Sequence, residues 1–205
     1  SKNISQREIM IRIYSGNVID LNFIDLPGLT MVACTDEGQP ADIKNQLQKL
    51  LLRYMRNPNS IIVGVMPARE DMETDYALDF IKEVDPNFER TLGVLTKLDM
   101  MKGDVCRYLE NDISKDLQVG LGWYGVVNGD KGSWFKQHQE YSDHKSRIGF
   151  NNLAMRMCEV LINITRACVP QIIKQLDDLQ GMLELSLERM GVPPPTNKGE
   201  KTALL

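Results

Sequence analysis

The 205-residue chain predicts an α/β fold, a mostly parallel sheet followed by long α-helices. Three observations predict it. An alternating hairpin pattern opens the chain, short apolar runs then alternate with helix-period stretches as far as residue 127, and beyond residue 150 the periodicity is helical throughout.

Residues 9–24 read as the hairpin. Ile9, Ile11 and Ile13 alternate with Met10, Arg12 and Tyr14, Ser15-Gly16-Asn17 supplies the turn, and residues 18–24 form a second, more apolar strand. Residues 40–56 read as a helix, because Ile43, Leu47, Leu50, Leu51 and Tyr54 fall on one face. Pro40 sits near its first turn, where a missing N–H costs nothing. Residues 61–66 form a continuous apolar run, which predicts a strand buried on both faces. A helix over 74–84, closed by Asp85-Pro86, leads to a strand over 91–95. A helix over 104–117 leads to a strand over 123–127. Strands that alternate with helices in this way imply parallel pairing through right-handed crossovers.

After residue 150 two long helices are expected, over 151–168 and 171–190, separated by Pro170. Ile172, Leu176, Leu179, Leu183 and Leu187 make an apolar stripe suited to partner helices, too short to define a coiled coil. Gly191 and the three prolines from Pro193 stop it.

Composition narrows the class. The chain carries 24 basic and 28 acidic residues, a net charge of −4, with 42% apolar and 25% charged residues. These are globular values and exclude a disordered tail, a disulfide scaffold or a collagen-like repeat. A pI near 5.3 argues against a dedicated nucleic-acid binder. No apolar run approaches the roughly 20 residues of a membrane span. The chain shows no signal-peptide pattern and starts at Ser1 rather than Met, which suggests a piece of something longer. Cys34, Cys106, Cys158 and Cys168 form no Cys-x-x-Cys pair, and His138 and His144 lie near none of them. Reduced thiols in a cytosolic protein without a zinc site are expected, with a disulfide as the minor alternative.

Three sites carry chemistry. Asp25-Leu26-Pro27-Gly28 follows the second predicted strand. An Asp-x-x-Gly arises about once by chance in such a composition, so placement gives it value. A strand-end Asp can hold Mg²⁺ through water, and a Gly three residues on lets a backbone N–H approach a terminal phosphate. The plain alternative is a strand exit with Pro-Gly turn residues. Thr96-Lys97-Leu98-Asp99 ends the third core strand and is far less expected by chance, about 0.1 occurrences. A carboxylate at Asp99 accepts hydrogen bonds only, matching the paired donors of guanine and not adenine. The Lys97 stem can lie along the base. The alternative is a solvated Lys–Asp surface pair. Asn128 follows the fourth core strand, where a loop can offer N–H groups to the guanine O6. Jointly the three sites fall at the carboxyl ends of strands, where ligands sit in open α/β sheets. The chain has no Gly-Lys dipeptide, so it holds no Gly-x-x-x-x-Gly-Lys-[Ser/Thr] phosphate loop. Leu29, next to the Asp-x-x-Gly, cannot orient an attacking water.

Asp25-Leu26-Pro27-Gly28-Leu29-Thr30, Glu83-Val84-Asp85-Pro86, the stretch from Arg90 to Asp99 and Gly125-Val126-Val127-Asn128 together resemble the dynamin superfamily of large GTPases. The resemblance runs from about residue 7 to the end and includes Leu187-Glu188-Arg189-Met190-Gly191-Val192-Pro193-Pro194. It implies a Ras-like P-loop NTPase sheet that lacks its first strand and phosphate loop in this chain. Residues 1–150 would be a partial GTPase domain, and residues 151–205 the bundle-signalling helix and the start of a stalk, with Pro170 as hinge. It implies that Asp25 and Gly28 face phosphate and Mg²⁺, that Thr96, Lys97 and Asp99 hold the base of GTP or GDP, and that Asn128 belongs to the last base loop. It implies a parent protein that hydrolyses GTP, forms homo-oligomers through GTPase-domain and stalk contacts, and remodels membranes to which it is recruited peripherally from the cytoplasm, with no nucleic-acid partner. Two departures stand out. Gly129-Asp130-Lys131 replaces the usual Arg-Ser-Gln after the Asn, and the loop after Asp99 lacks its customary acidic residue. The chain alone is expected to lack catalysis. The implied sheet would leave two unpaired edges, an expectation of instability or strand exchange. Two other readings stay open: a nucleotide-dead scaffold that assembles through its helices, and an unrelated ATPase, which Asp99 disfavours.

Overall fold

The computed structural model describes residues 5, 7–16, 20–28, 39–68, 72, 75–100, 105–129 and 131–191. It forms two compact units, residues 1–161 and 162–205. The first unit is built on a three-stranded parallel sheet in the order β1-β2-β3, with β1 Ile62–Pro67, β2 Thr91–Thr96 and β3 Trp123–Gly125. Its helices are α1 (Ile43–Met55), α2 (Tyr76–Val84), α3 (Cys106–Glu110) and α4 (Lys131–Gln137), with the start of α5 (Phe150–Met190). The α/β class with parallel pairing is as expected.

The central strand is buried along its whole length up to Thr96. One face meets the larger apolar layer, in which Met66, Leu95, Leu98 and Trp123 pack with Ile81, Phe88 and Leu109. On the other face Leu92 and Val94 pack against Leu153 and Met157 from the first turns of α5. The sheet is pinned at its start by two charged residues. Asp85, buried, accepts hydrogen bonds from the Glu89 and Arg90 amides and from the Thr91 hydroxyl. The Arg90 guanidinium donates to the carbonyls of Met55, Ser60 and Val84 at 2.6, 2.8 and 3.1 Å. It thus satisfies the carbonyl-rich ends of α1 and α2, where a cation is favoured by the helix dipoles.

Several expected elements differ. Residues 9–16 and 20–24 carry no strand, while 17–19 lie outside the described residues. Ile9 to Tyr14, where exposure is recorded, is 70–91% exposed. An isolated hairpin is marginal in water, and no described strand offers this one a partner. Asp25 therefore follows a segment without regular secondary structure rather than a strand. β1 is buried alternately, not on both faces, and Val65 is 59% exposed. The reason is that α5 reaches the face over β2 and β3, whereas nothing described covers that face at Val65.

The helix expected over 104–117 is five residues long. Asn111 ends it in the left-handed conformation, and its amide side chain exchanges two hydrogen bonds with the Val119 backbone. That side chain competes for backbone groups as Asn does at helix ends. The strand expected over 123–127 ends at Gly125. Residues 131–147, left without an element by periodicity, form α4 and a 3₁₀ stretch over Gln139–Arg147. The two expected long helices are one, with Pro170 inside α5. Proline inside a helix removes one N–H and can kink it without ending it, and here the carbonyl it orphans lies on an exposed stretch that water can reach.

Residues 162–190, described by themselves, are helical and largely exposed, and Ile172, Leu176, Leu179, Leu183 and Leu187 are all exposed. Among the described residues no helix is long and apolar enough to cross a membrane. Cys106, Cys158 and Cys168 are free thiols, and Cys34 lies outside the described residues.

Candidate functional site

The site forms where β2 and β3 end. Thr96 closes β2, its hydroxyl donating to the Met66 carbonyl at 3.3 Å and its own carbonyl accepting the Ala68 amide at 2.8 Å. These bonds tie the end of β2 to the end of β1. The chain then reverses at Lys97, which has φ +59°, the left-handed region that a side chain rarely adopts. That turn puts Leu98 into the core and leaves Asp99 and the Lys97 side chain in solvent. A short 3₁₀ turn over Leu98–Met100 follows, closed by the Met100 amide on the Lys97 carbonyl at 2.9 Å.

The second loop leaves β3 alongside it. The Val126 amide donates to the Leu95 carbonyl at 2.7 Å, and the Leu98 amide donates to the Val126 carbonyl at 3.4 Å. Gly125 lies against Leu98 so closely that an added methyl group would overlap the leucine side chain. Asn128 follows, exposed, and its amide donates to Asp99 Oδ1 at 3.5 Å. Gly129, at φ +98°, carries the chain away toward α4.

Thr96, Lys97, Asp99 and Asn128 are therefore brought together on two adjacent loops at the carboxyl end of the sheet. Asp99 presents an exposed carboxylate beside a backbone donor, which can read a ligand offering paired donors and a carbonyl. Asp25 and Gly28 are both exposed, with nothing within 4 Å of a methyl group placed on Gly28. Among the described residues no hydrogen bond or ion pair joins either to the four. Nor does any cluster of three or more His, Cys, Asp or Glu gather there for a metal. A single carboxylate fits a Mg²⁺ that arrives on phosphates and keeps several waters, not an all-protein cage.

The supports of the site were not legible from periodicity. Tyr141, in the 3₁₀ stretch, accepts the Val105 amide at 3.3 Å at the entry to α3 and packs on Trp134 of α4 with ring centroids 5.1 Å apart. Trp134, His138 and Tyr141 recur at spacings of four and three, and that aromatic stripe is the signal that could have marked the segment.

Comparison with known proteins adds to this geometry. Residues 1–98 match the family model described as the dynamin family, and residues 130–205 match the one described as the dynamin central region. Dynamin-B of Dictyostelium discoideum is 37% identical over 223 residues, an alignment covering 100% of this chain and 24% of that protein. Dynamin-related protein 12A of Glycine max is 34% identical over 219 residues, covering 98% of the chain and 35% of the relative. Dynamin-1-like protein of Mus musculus is 33% identical over 207 residues, covering 94% and 28%. The chain thus spans about a quarter to a third of the length of these relatives.

Proposed function

From the premise that the chain belongs to the dynamin superfamily, we propose that Thr96, Lys97, Asp99 and Asn128 are the base-recognition side of a guanine-nucleotide site. One observation carries the reading: the Asp99 carboxylate and the Asn128 amide stand together on the two loops that leave β2 and β3. Asp99 accepts from guanine N1–H and its 2-amino group, Lys97 lines the base with its stem, and the Asn128 loop donates to O6. Asp25 and Gly28 serve the phosphate side, Asp25 holding Mg²⁺ through water and Gly28 offering its N–H to the terminal phosphate.

In this reading residues 1–150 act as part of a GTPase domain and residues 151–205 as the helical element that leads to a stalk. The whole protein hydrolyses GTP and couples turnover to self-assembly through GTPase-domain and stalk contacts. It works on membranes to which it is recruited from the cytoplasm, through segments other than those described here. The 205-residue chain itself has no Gly-Lys to hold the β- and γ-phosphates, so it binds without measurable turnover.

The test is a calorimetric titration of the chain with GDP and with ADP. Selective GDP binding is expected, and Asp99→Ala weakens it about tenfold to a hundredfold, the worth of hydrogen bonds to a charged group. Equal binding of ADP overturns the role given to Asp99. The exposed apolar stripe of α5 favours a second reading, a nucleotide-dead scaffold that assembles through its helices. It predicts neither GDP binding here nor phosphate release by a longer chain.

A further inference from the structure

Gly125 closes β3, although glycine weakens a strand by packing no side chain and losing more freedom on folding. Its backbone does not call for glycine, since the glycines with positive φ are Gly122, Gly129, Gly149 and Gly191. What calls for it is Leu98. A methyl group on Gly125 would overlap Leu98 Cδ1 and lie 3.4 Å from its Cγ. Leu98 is 2% exposed within the larger apolar layer, so rotating away would drive it into packed neighbours.

Leu98 adjoins Asp99 in the chain, and Gly125 stands three residues before Asn128. The reversal at Lys97, with φ +59°, is strained for a residue that carries a side chain, and such a turn persists only where its surroundings over-determine it. The hydrogen bonds between the two loops lengthen outward. The Val126 amide reaches the Leu95 carbonyl at 2.7 Å, the Leu98 amide reaches the Val126 carbonyl at 3.4 Å, and the Asn128 amide reaches Asp99 at 3.5 Å. The first fixes the strands side by side, and the outer two are too long to hold a strained turn by themselves. The Leu98 side chain, seated against the bare backbone of Gly125, adds the restraint they lack.

We propose that Leu98 and Gly125 are positioning residues for guanine recognition, a peg and its socket: the seated Leu98 locks the Lys97 turn so that Asp99 faces the Asn128 amide. Neither touches the ligand. The inference rests on the base-site reading above, but the peg and socket can be tested without nucleotide.

Gly125→Ala fills the socket. Gly64→Ala is the control, a methyl group added elsewhere in the same sheet, where its nearest neighbour is the tip of the Ile81 side chain at 3.0 Å. Amide hydrogen exchange on the free chain compares Leu98 with Val126, whose shorter bond serves as the internal reference. In Gly125→Ala the Leu98 amide should exchange about tenfold faster relative to Val126, the scale of a local overpacking, and the control should keep the wild-type ratio. Leu98→Val removes one carbon and leaves the socket part empty, which should raise the ratio about threefold. Gly125→Ala/Leu98→Val conserves the total volume and should return the ratio to within about twofold of wild type. A ratio unchanged in Gly125→Ala, even if both amides exchange faster, overturns the proposal, and so does a double variant no better than Gly125→Ala. If Gly125→Ala does not fold, Leu98→Val decides by the same ratio. GDP and IDP titrations follow. Where wild type binds GDP, Gly125→Ala raises its Kd and narrows the preference over IDP, which lacks the 2-amino group read by Asp99, and the double variant restores both. An unchanged GDP-to-IDP preference also overturns the proposal. Failure of wild type to bind either nucleotide refutes the base-site reading instead, and the exchange ratio still decides the peg and socket.

Discussion

Gly93 sits in the middle of the central strand, directly beneath Trp123 of the neighbouring strand, so that a methyl group there would overlap the indole ring. Trp123 is fully buried and bonds the Leu117 carbonyl through Nε1, so it has nowhere to retreat. Gly93→Ala is expected to destabilise the chain by about 1–3 kcal/mol, the usual cost of overpacking, as measured by urea denaturation. Asp85 offers a second test. Its carboxylate takes three donors inside the fold, and Asp85→Asn turns an amide N–H₂ toward one of them. A loss of about 1.5–3 kcal/mol is expected, with a matching shift in the urea midpoint. At this scale the residue types of the site were legible, because Thr96, Lys97 and Asp99 follow a spacing whose chemistry is specific. The backbone was not. Nothing in the residue type of Lys97 announces φ +59°, a conformation worth about 1–2 kcal/mol of strain that the buried Leu98 side chain holds in place.

Elements were legible where the pattern was long and local. The strands at Ile62–Pro67 and Thr91–Thr96 and the helix Ile43–Met55 sit within a few residues of the periodicity that predicts them. The hairpin over 9–24 has a pattern just as regular, yet a strand exists only through its partner, and alternation cannot reveal whether a partner is present. The short α3 shows the reverse. Its sequence continues in helical period, but Asn111 bonds Val119 and ends it. In α5 the sequence predicts a break at Pro170, and the helix runs through it. Pro170→Ala restores one N–H and relieves the clash with the preceding turn. The surrounding turns should gain about 1–3 kcal/mol, seen as slower amide exchange around residue 170 and a deeper helical circular-dichroism signal.

For the molecule as a whole, the governing fact is that among the described residues β1 is an edge strand, with an exposed valine on a face that none of them covers. Exposed edges recruit other chains, and the apolar side chains of residues 9–14 add to the exposed area. The chain should therefore lose monomer as its concentration rises. Val65→Lys, a charge on that edge, should keep it monomeric to several-fold higher concentration by sedimentation velocity, and equal association of both proteins would place the contact elsewhere. The parallel order of the sheet was legible from alternating strands and helices. The missing cover was not, because it depends on what α5 reaches.

Only two tryptophans occur in the chain, and they bracket the second base loop in sequence, Trp123 at the start of β3 and Trp134 in α4. Trp123 meets Tyr108 edge-on at 5.9 Å, while Trp134 stacks on His138 at 4.6 Å with planes 16° apart. Their optical surroundings differ, because Trp134 lies face to face with an imidazole and Trp123 edge-on to a phenol. The molecule thus carries a built-in pair of lamps in two different settings, with which movement of the loop between them can be watched without any attached dye.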